Sequence, residues 1–191
     1  MNSKKVRLAI FASGSGSNAE EIFKYFEKHP TIEVAVLLSN NAQAYALERA
    51  RKFNIPTRVF TRQQFRDSDE VVQWLKEDGV THVVLAGFLW LIPQQLIQAY
   101  PDKIVNIHPS LLPKFGGKGM YGMKVHQSVK EQRESESGIT IHIVNEHYDE
   151  GRILFQGKCT LTPDDTPEQI AAKVHQLEYA HYPRVIEEWA K

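Results

Sequence analysis

Apolar residues in this chain alternate between short continuous runs and segments with helical spacing. The runs that predict buried strands are residues 6–12, 32–38, 57–60, 83–86 and 104–107. The segments that predict helices are residues 19–28, 44–53 and 69–78, the last closed by Gly79, and a helix that begins at Pro93. Strands that alternate with helices indicate a mostly parallel sheet wound with right-handed crossovers.

The pattern changes after a short predicted helix at residues 125–131. Residues 138–144 and 153–161 form two strand-like runs with no helix between them, which predicts an antiparallel pair. A long final helix follows, with Thr166 as its N-cap, Pro167 as its first residue and Gln169 completing a capping box. We therefore expect an α/β, Rossmann-like three-layer sandwich that forms a single domain over residues 1–191.

Composition narrows the classes of partner. The 191 residues carry 23 Lys and Arg against 23 Asp and Glu, so no broad basic field is expected for nucleic acid or a membrane surface. The longest apolar run, residues 83–92, is about half of a membrane span. The single cysteine, Cys159, excludes an internal disulfide and indicates a small strand residue rather than a catalytic thiol. We expect a cytoplasmic protein. We also expect no metal, because the eight histidines of the chain show no metal-ligand spacing.

A glycine-rich turn, residues 13–19, follows the first strand and opens the first helix. Gly14, Gly16 and Ala19 fit the dinucleotide fingerprint, which also demands an acidic residue at the end of the second strand. That strand ends in Ser-Asn-Asn, and Glu33 lies at its beginning instead. Serine hydroxyls, backbone amides and Asn18 at a helix N-terminus better suit a single phosphate monoester. A plain tight turn with a polar cap is the remaining alternative.

Asn106 and His108 lie two positions apart at the end of the predicted strand 104–107, so they project from the same face. An amide donor beside an imidazole suits acyl transfer to an amine, since the amide stabilises an oxyanion and the imidazole moves a proton. Asp149, between the two later strands, is the leading carboxylate partner, and it should raise the pKa of His108. A structural histidine, or a nucleotide-binding module without catalysis, is the alternative at this point.

The sequence resembles the 10-formyltetrahydrofolate-dependent formyltransferases, and among them those that act on glycinamide ribonucleotide. Asn106 to Pro113 is similar to the family signature. The supporting motifs occur in family order along nearly the whole chain: Gly14 to Asn18, Ser39-Asn40, Leu47 to Ala50, Leu85 to Phe88, Asn106 to Lys114, Asp149 with Gly151, and Glu178 before Tyr182-Pro183.

This resemblance implies transfer of a formyl group from 10-formyltetrahydrofolate, as co-substrate, to the amine of glycinamide ribonucleotide in de novo purine biosynthesis. The products would be N-formylglycinamide ribonucleotide and tetrahydrofolate. The partners implied are these small molecules, with no nucleic acid, no membrane and a monomer or homodimer. Residues 1–100 would mainly hold phosphate or nucleotide, and residues 101–191 would mainly catalyse the reaction and bind folate.

The resemblance also implies roles for individual residues. The implied catalytic residues are Asn106, His108 and Asp149; the residues for substrate phosphate and ribose are Gly16, Ser17, Asn18, His175 and Glu178; and those for folate are Leu89, Trp90, Leu91, Ile92, Asn106 and Asp149. For His175 and Glu178 the alternative is a solvated helix face, and for the segment from Leu89 to Ile92 it is core packing.

Several departures from the family and several rival functions remain. Trp90 stands where some members carry arginine, and Glu150 and Arg152 flank Gly151 where glycine and proline are commoner. Residues 115–124 contain four glycines and are longer than usual, which fits either a lid or a floppy loop. A formyltetrahydrofolate hydrolase, or a formyltransferase with another amine acceptor such as methionyl-tRNA, is the alternative function.

Overall fold

One seven-stranded sheet runs through the computed structural model, which describes residues 5–191. The strands are β1 (Val6–Phe11), β2 (Ile32–Ser39), β3 (Thr57–Val59), β4 (His82–Leu85), β5 (Ile104–His108), β6 (Glu136–Ile143) and β7 (Ile153–Thr160). Their order across the sheet is β3-β2-β1-β4-β5-β6-β7. The first five strands pair in parallel, whereas β6 is antiparallel to β5 and to β7. The mostly parallel sheet with its antiparallel pair is therefore confirmed, and residues 1–4 of the predicted domain lie outside the described residues.

Seven helices connect these strands in the described part of the chain. They are α1 (Ser17–Phe26), α2 (Tyr45–Lys52), α3 (Arg62–Arg66), α4 (Glu70–Glu77), α5 (Gln94–Ala99), α6 (Met123–Glu131) and α7 (Pro167–Ala190). The capping box predicted for the last helix is present, with Thr166 and Gln169 bonded reciprocally. Helix α3 was not predicted, because five residues are too few to show a helical period; its own capping box, Thr61 with Gln64, starts it.

Apolar side chains form two cores, one on each face of the sheet. Alternate residues of β1 divide between them, with Leu8 and Ile10 in one core and Ala9 and Phe11 in the other. The first core includes apolar residues of α1, α2, α6 and α7, and the second includes those of α3, α4 and α5. Helices therefore cover both faces, which confirms the three-layer sandwich.

Helix α7 is fixed to the centre of the sheet by Tyr182. This side chain is fully buried, and its hydroxyl donates to the carbonyl oxygen of Leu85 at 2.8 Å and approaches that of Val105 at 3.3 Å. Leu85 is the last residue of β4, and Val105 lies within the neighbouring β5. Ligands of open parallel sheets bind at the carboxyl ends of the strands, so α7 is held directly beside the edge where a site is expected.

Candidate active site

A cavity of about 680 Å³ opens at the carboxyl ends of β1, β4 and β5. All twelve residues predicted from the sequence to form the site contribute to its lining. They are Gly16, Ser17, Asn18, Leu89, Trp90, Leu91, Ile92, Asn106, His108, Asp149, His175 and Glu178. The structure thus brings together segments from five separate regions of the chain.

The glycine-rich turn forms one end of the cavity. Gly16 caps α1 with φ of +72°, and a Cβ at this position would lie only 2.5 Å from the Cβ of Ala46, so only glycine fits here. Among the described residues, no side chain caps this end of α1, so its first N–H groups have no side-chain acceptor. Glu33 lies at the opposite end of β2, where it forms ion pairs with Lys5 and Arg7. The acidic residue that a dinucleotide site needs is therefore not at the ribose position.

Asn18 and α7 meet across the cavity beside this turn. The Asn18 Nδ2 donates to Glu178 Oε2 at 3.0 Å, and the same carboxylate oxygen lies 2.8 Å from His175 Nδ1. Glu178 is only 5% exposed, so it does not belong to a solvated helix face. Glu178 raises the pKa of His175 by accepting this hydrogen bond. The Oδ1 of Asn18 is buried and has no hydrogen-bond partner among the described residues.

Asn106 and His142 face each other on the paired strands β5 and β6. The Asn106 Nδ2 lies 3.2 Å from His142 Nε2, and His142 Nδ1 lies 3.0 Å from the carbonyl oxygen of Ile143. A carbonyl only accepts, so Nδ1 of His142 carries the hydrogen, and Nε2 is free to accept from the amide in the neutral ring. This arrangement orients Asn106 and leaves its second N–H and its oxygen for a ligand.

His108 lies between a carboxylate and a backbone carbonyl. Its Nε2 donates to the carbonyl oxygen of Phe115 at 2.7 Å, and its Nδ1 lies 3.5 Å from Asp149 Oδ2. The ring is almost fully buried, and burial lowers the pKa of His108, while Asp149 and the Phe115 carbonyl raise it. The net direction is downward. Asp149 therefore raises the pKa of His108, as the sequence predicts, but the loss of hydration outweighs the carboxylate.

Asp149 is held in its position by backbone on two sides. It adopts left-handed φ of 57°, and its Oδ2 accepts the N–H of Gly117 at 2.9 Å. Hydrogen bonds and the neighbouring imidazoles lower the pKa of Asp149 although burial opposes them. A Cβ on Gly151 would lie 1.6 Å from the carbonyl oxygen of Ile143, so the loop that carries Asp149 packs directly on β6.

The segment from Leu89 to Ile92 divides its side chains between cavity and core. Leu89 is 49% exposed, whereas Ile92 is buried. Trp90 packs at ring-centroid distances of 6.1 Å from Phe60 and 5.9 Å from Phe65 while also lining the cavity. Leu89 donates its N–H to the hydroxyl of Ser13, so this segment is tied to the glycine-rich turn.

Three histidines outside the predicted site residues line the cavity, and they are His126, His142 and His147. His142 had a detectable signal, because its position in the antiparallel pair is directly opposite Asn106. His126 had none, since it occurs in a short helix with ordinary spacing. It is 2% exposed, its Nδ1 has no partner among the described residues, and burial lowers the pKa of His126 to about 4.

Two other features of the described chain bear on cofactors and membranes. Residues 5–191 contain no group of three or more His, Cys, Asp or Glu arranged to hold a metal ion. Within the same residues, every helix is too short or too polar to cross a bilayer.

The sequence of the chain matches a known protein family and named relatives over most of its length. The sequence model of a family described as formyl transferase matches residues 6–186. The chain is 43% identical over 189 residues to an Arabidopsis thaliana protein named phosphoribosylglycinamide formyltransferase, chloroplastic, and 37% identical over 187 residues to a Bacillus subtilis protein named phosphoribosylglycinamide formyltransferase. These matches cover 96% and 95% of this chain, but 65% of the Arabidopsis protein and 93% of the Bacillus subtilis one.

Solved structures agree with the sequence comparisons. A crystal structure of phosphoribosylglycinamide formyltransferase from Bacillus halodurans superimposes with a TM-score of 0.85 at 36% identity. The match covers 95% of this chain and 94% of that one.

Proposed function

The chain belongs to the formyl transferase family, and we propose that it transfers the formyl group of 10-formyltetrahydrofolate to the amine of glycinamide ribonucleotide. The products are N-formylglycinamide ribonucleotide and tetrahydrofolate, a step of de novo purine biosynthesis. The observation that carries the proposal is that one cavity joins the N-terminal end of α1, which has no side-chain cap among the described residues, to the group of Asn106, His108 and Asp149. The names of the relatives at 43% and 37% identity support the choice of acceptor.

The substrate phosphate binds at the glycine-rich turn in this proposal. The N–H groups at the start of α1, with Gly16, Ser17 and Asn18, hold the phosphate oxygens. Glu178 is buried next to Asn18 and accepts hydrogen bonds from the ribose hydroxyls, and His175 adds a polar contact. The amine of the substrate then points along the cavity towards Asn106.

The folate co-substrate occupies the other side of the cavity. Its ring lies against the segment from Leu89 to Ile92, with the exposed Leu89 and the partly buried Trp90 supplying apolar surface. Asn106 and Asp149 reach its formyl end. No arginine stands at position 90, so the acidic tail of the folate lies outward, where water solvates it.

Asn106 stabilises the negative charge that develops on the formyl oxygen when the amine attacks. His142 accepts one N–H of the amide and thereby fixes the direction of the other. Removing one such donor costs about 10²–10³ in rate in other enzymes. His142 is a positioning residue in this scheme, since it acts through Asn106.

His108 and Asp149 stabilise developing charge and assist proton transfer in the proposed reaction. The Nε2–H of His108 is a second donor for the formyl oxygen, and Asp149 stabilises the imidazolium form through Nδ1 at 3.5 Å. As the new C–N bond forms, the attacking amine releases a proton to a water beside Asp149, and the folate nitrogen takes up a proton as its bond to the formyl carbon breaks. In the present form this Nε2–H is bonded to the Phe115 carbonyl. The glycine-rich segment 115–122 must release His108 before the formyl oxygen can take that position, so this segment acts as a lid.

An assay with both substrates tests the proposed function. The purified protein is mixed with glycinamide ribonucleotide and 10-formyltetrahydrofolate, and formation of the formylated ribonucleotide is followed by mass spectrometry. Product that depends on both substrates is expected. Loss of formyl from the folate without ribonucleotide would instead indicate a hydrolase, and binding of ribonucleotide without turnover would indicate a non-catalytic module.

The remaining features of the proposal concern the whole protein. A cytoplasmic location, a monomer or homodimer, and the division of one domain into a phosphate half and a catalytic half stay predictions. The name of the Arabidopsis relative carries the word chloroplastic, so relatives do not share one compartment.

A further inference from the structure

The cavity contains few permanent positive charges for the two anionic substrates proposed above. Among the described residues that line it, Lys118 is the only lysine or arginine, whereas Asp149 and Glu178 are both carboxylates. Five of the eight histidines of the chain line the same cavity: His108, His126, His142, His147 and His175. Any further positive charge that meets an entering anion must therefore come from a protonated imidazole.

The shortage of charge is sharpest beside the glycine-rich turn. Glu178 is buried there, and a phosphate dianion next to it would be repelled. Arg49 reaches the outer side of the turn and bonds to the Ser15 carbonyl at 2.8 Å, but its charge is paired with Glu20. His175 is a titratable donor at this end of the cavity, because its Nδ1 lies 2.8 Å from the same Glu178 oxygen that Asn18 contacts.

A second observation shows that this end of the cavity lacks a polar ligand. Three buried side-chain polar atoms have no partner among the described residues, and two of them, Asn18 Oδ1 and His126 Nδ1, belong to residues that line the cavity here. The His126 ring packs edge-on against that of His175 at a centroid distance of 6.4 Å. Buried polar groups are almost always paired in folded proteins, so an unpaired set inside a cavity points to a bound polar group.

We propose that His175 is the charge-determining residue of the phosphate site: in its protonated form, held by Glu178, it meets the phosphate dianion, so that ribonucleotide binding takes up a proton. This inference rests on the proposed function for the identity of the ligand. It accounts for a histidine at this position. When His175 is protonated, its positive charge reduces the repulsion between the Glu178 carboxylate and the bound phosphate.

The groups around His175 decide the direction of the effect. Glu178 on the same helix raises the pKa of His175, Tyr179 stacks on its ring, and His126 faces it from α6. His126 is neutral near pH 7, because burial lowers its pKa to about 4 with His175 and His108 adding to the effect. A dianion beside His175 raises the pKa of His175 further, so the affinity is highest at low pH and falls as the pH rises through the pKa of the free form.

Calorimetric titration with ribose 5-phosphate tests the proposal directly. The dissociation constant is measured between about pH 6.5 and 8.5, where the pH lies above the second pKa of the phosphate, which is about 6. Heats in buffers of different ionisation enthalpy give the number of protons taken up. We expect net proton uptake and a dissociation constant about tenfold weaker at the upper pH, since an opposite charge within a few ångströms shifts protonation by at least this factor.

Three variants separate the effect of the His175 charge on binding from the effect of replacing any histidine of α7. His175→Gln should bind about tenfold more weakly at pH 6.5 and lose the pH dependence, whereas His175→Lys should bind tightly across the range without proton uptake. His181→Gln changes a histidine of the same helix that packs on Phe155 instead of lining the cavity, so it should behave as the parent protein.

The outcomes also separate this proposal from the proposed function. Ribose 5-phosphate binding with the same pH dependence in the parent and His175→Gln proteins would overturn the proposal even if formyl transfer is observed. Proton uptake that disappears in His175→Gln supports it even if the formyl transfer assay is negative, in which case only the proposed function fails.

Discussion

Replacing Asp149 with asparagine isolates the contribution of one carboxylate charge to the reaction. Asparagine has nearly the same shape, and its side-chain oxygen can still accept the N–H of Gly117, which Asp149 Oδ2 accepts at 2.9 Å. The loop geometry is therefore kept while the negative charge facing His108 is removed. We expect kcat of Asp149→Asn to fall while KM for the ribonucleotide changes little.

The size of the loss follows from the distance between the two groups. Asp149 Oδ2 lies 3.5 Å from His108 Nδ1, and opposite charges at this separation attract by about 4–5 kcal/mol at an effective dielectric constant of about 20. The imidazolium form of His108 would lose most of this stabilisation in Asp149→Asn. An energy of about 4 kcal/mol corresponds to about 10³-fold in rate, which is the reduction in kcat that we expect.

Steady-state kinetics between about pH 5.5 and 9 measures this effect, and NMR titration of His108 measures its cause. Asp149 raises the pKa of His108 against the effect of burial, so the pKa of His108 should be lower still in Asp149→Asn. The matched control is Asp165→Asn. Asp165 is another aspartate with a lowered pKa, but its partner is Lys173 and it does not line the cavity, so kcat should be unchanged.

Two results would refute the reasoning. A fall in kcat of less than about tenfold, with the fold intact by thermal denaturation, would mean that the charge of Asp149 does not act on the rate-limiting step. An unchanged or higher pKa of His108 in Asp149→Asn would mean that the ion pair at 3.5 Å does not set the protonation of the ring.

Three further predictions concern catalysis and stability. Asn106→Ala should lower kcat by about 10²–10³-fold with little change in thermal stability, checked by kinetics and calorimetry, because the side chain is only half-buried and its amide is a proposed oxyanion donor. Tyr182→Phe should lower the free energy of unfolding in urea by about 1–3 kcal/mol, since it leaves two buried carbonyls without their hydroxyl donor. Because the folded-state pKa of Asp165 is lowered, its contribution is present above the unfolded value of 3.8 and is lost as the pH falls through the folded value; the melting temperature of Asp165→Asn should therefore depend less on pH below about 4.

Most of the fold could be read from the sequence because its strands are short, apolar and separated by clear helix signals. The crossover pattern gave the parallel part, and the missing helix between residues 144 and 153 gave the antiparallel pair of β6 and β7. Helix α3 could not be predicted by periodicity, because it turns less than twice and depends on its capping box. The order of the strands across the sheet also depends on crossovers that no single segment specifies.

The site was predictable where a motif is local, and less so where it depends on burial. The glycine-rich turn and the pair of Asn106 and His108 are contiguous in sequence, whereas His126 has no local signal and enters the cavity only through the packing of α6. The net direction of the His108 pKa shift could not be predicted for a related reason. A neighbouring charge can be guessed from sequence, but the loss of water around a ring that is 4% exposed cannot.

The contact between Asn18 and Glu178 has a consequence for biosynthesis of the chain itself. These residues are 160 positions apart, and the second belongs to α7. A nascent chain contains the glycine-rich turn early, but Glu178, which contacts Asn18, does not exist until α7 has been translated. Under the proposed function, the site for the substrate phosphate is complete only after α7 has docked on the sheet, so stabilisation of the fold by this ligand is expected after translation and not during it.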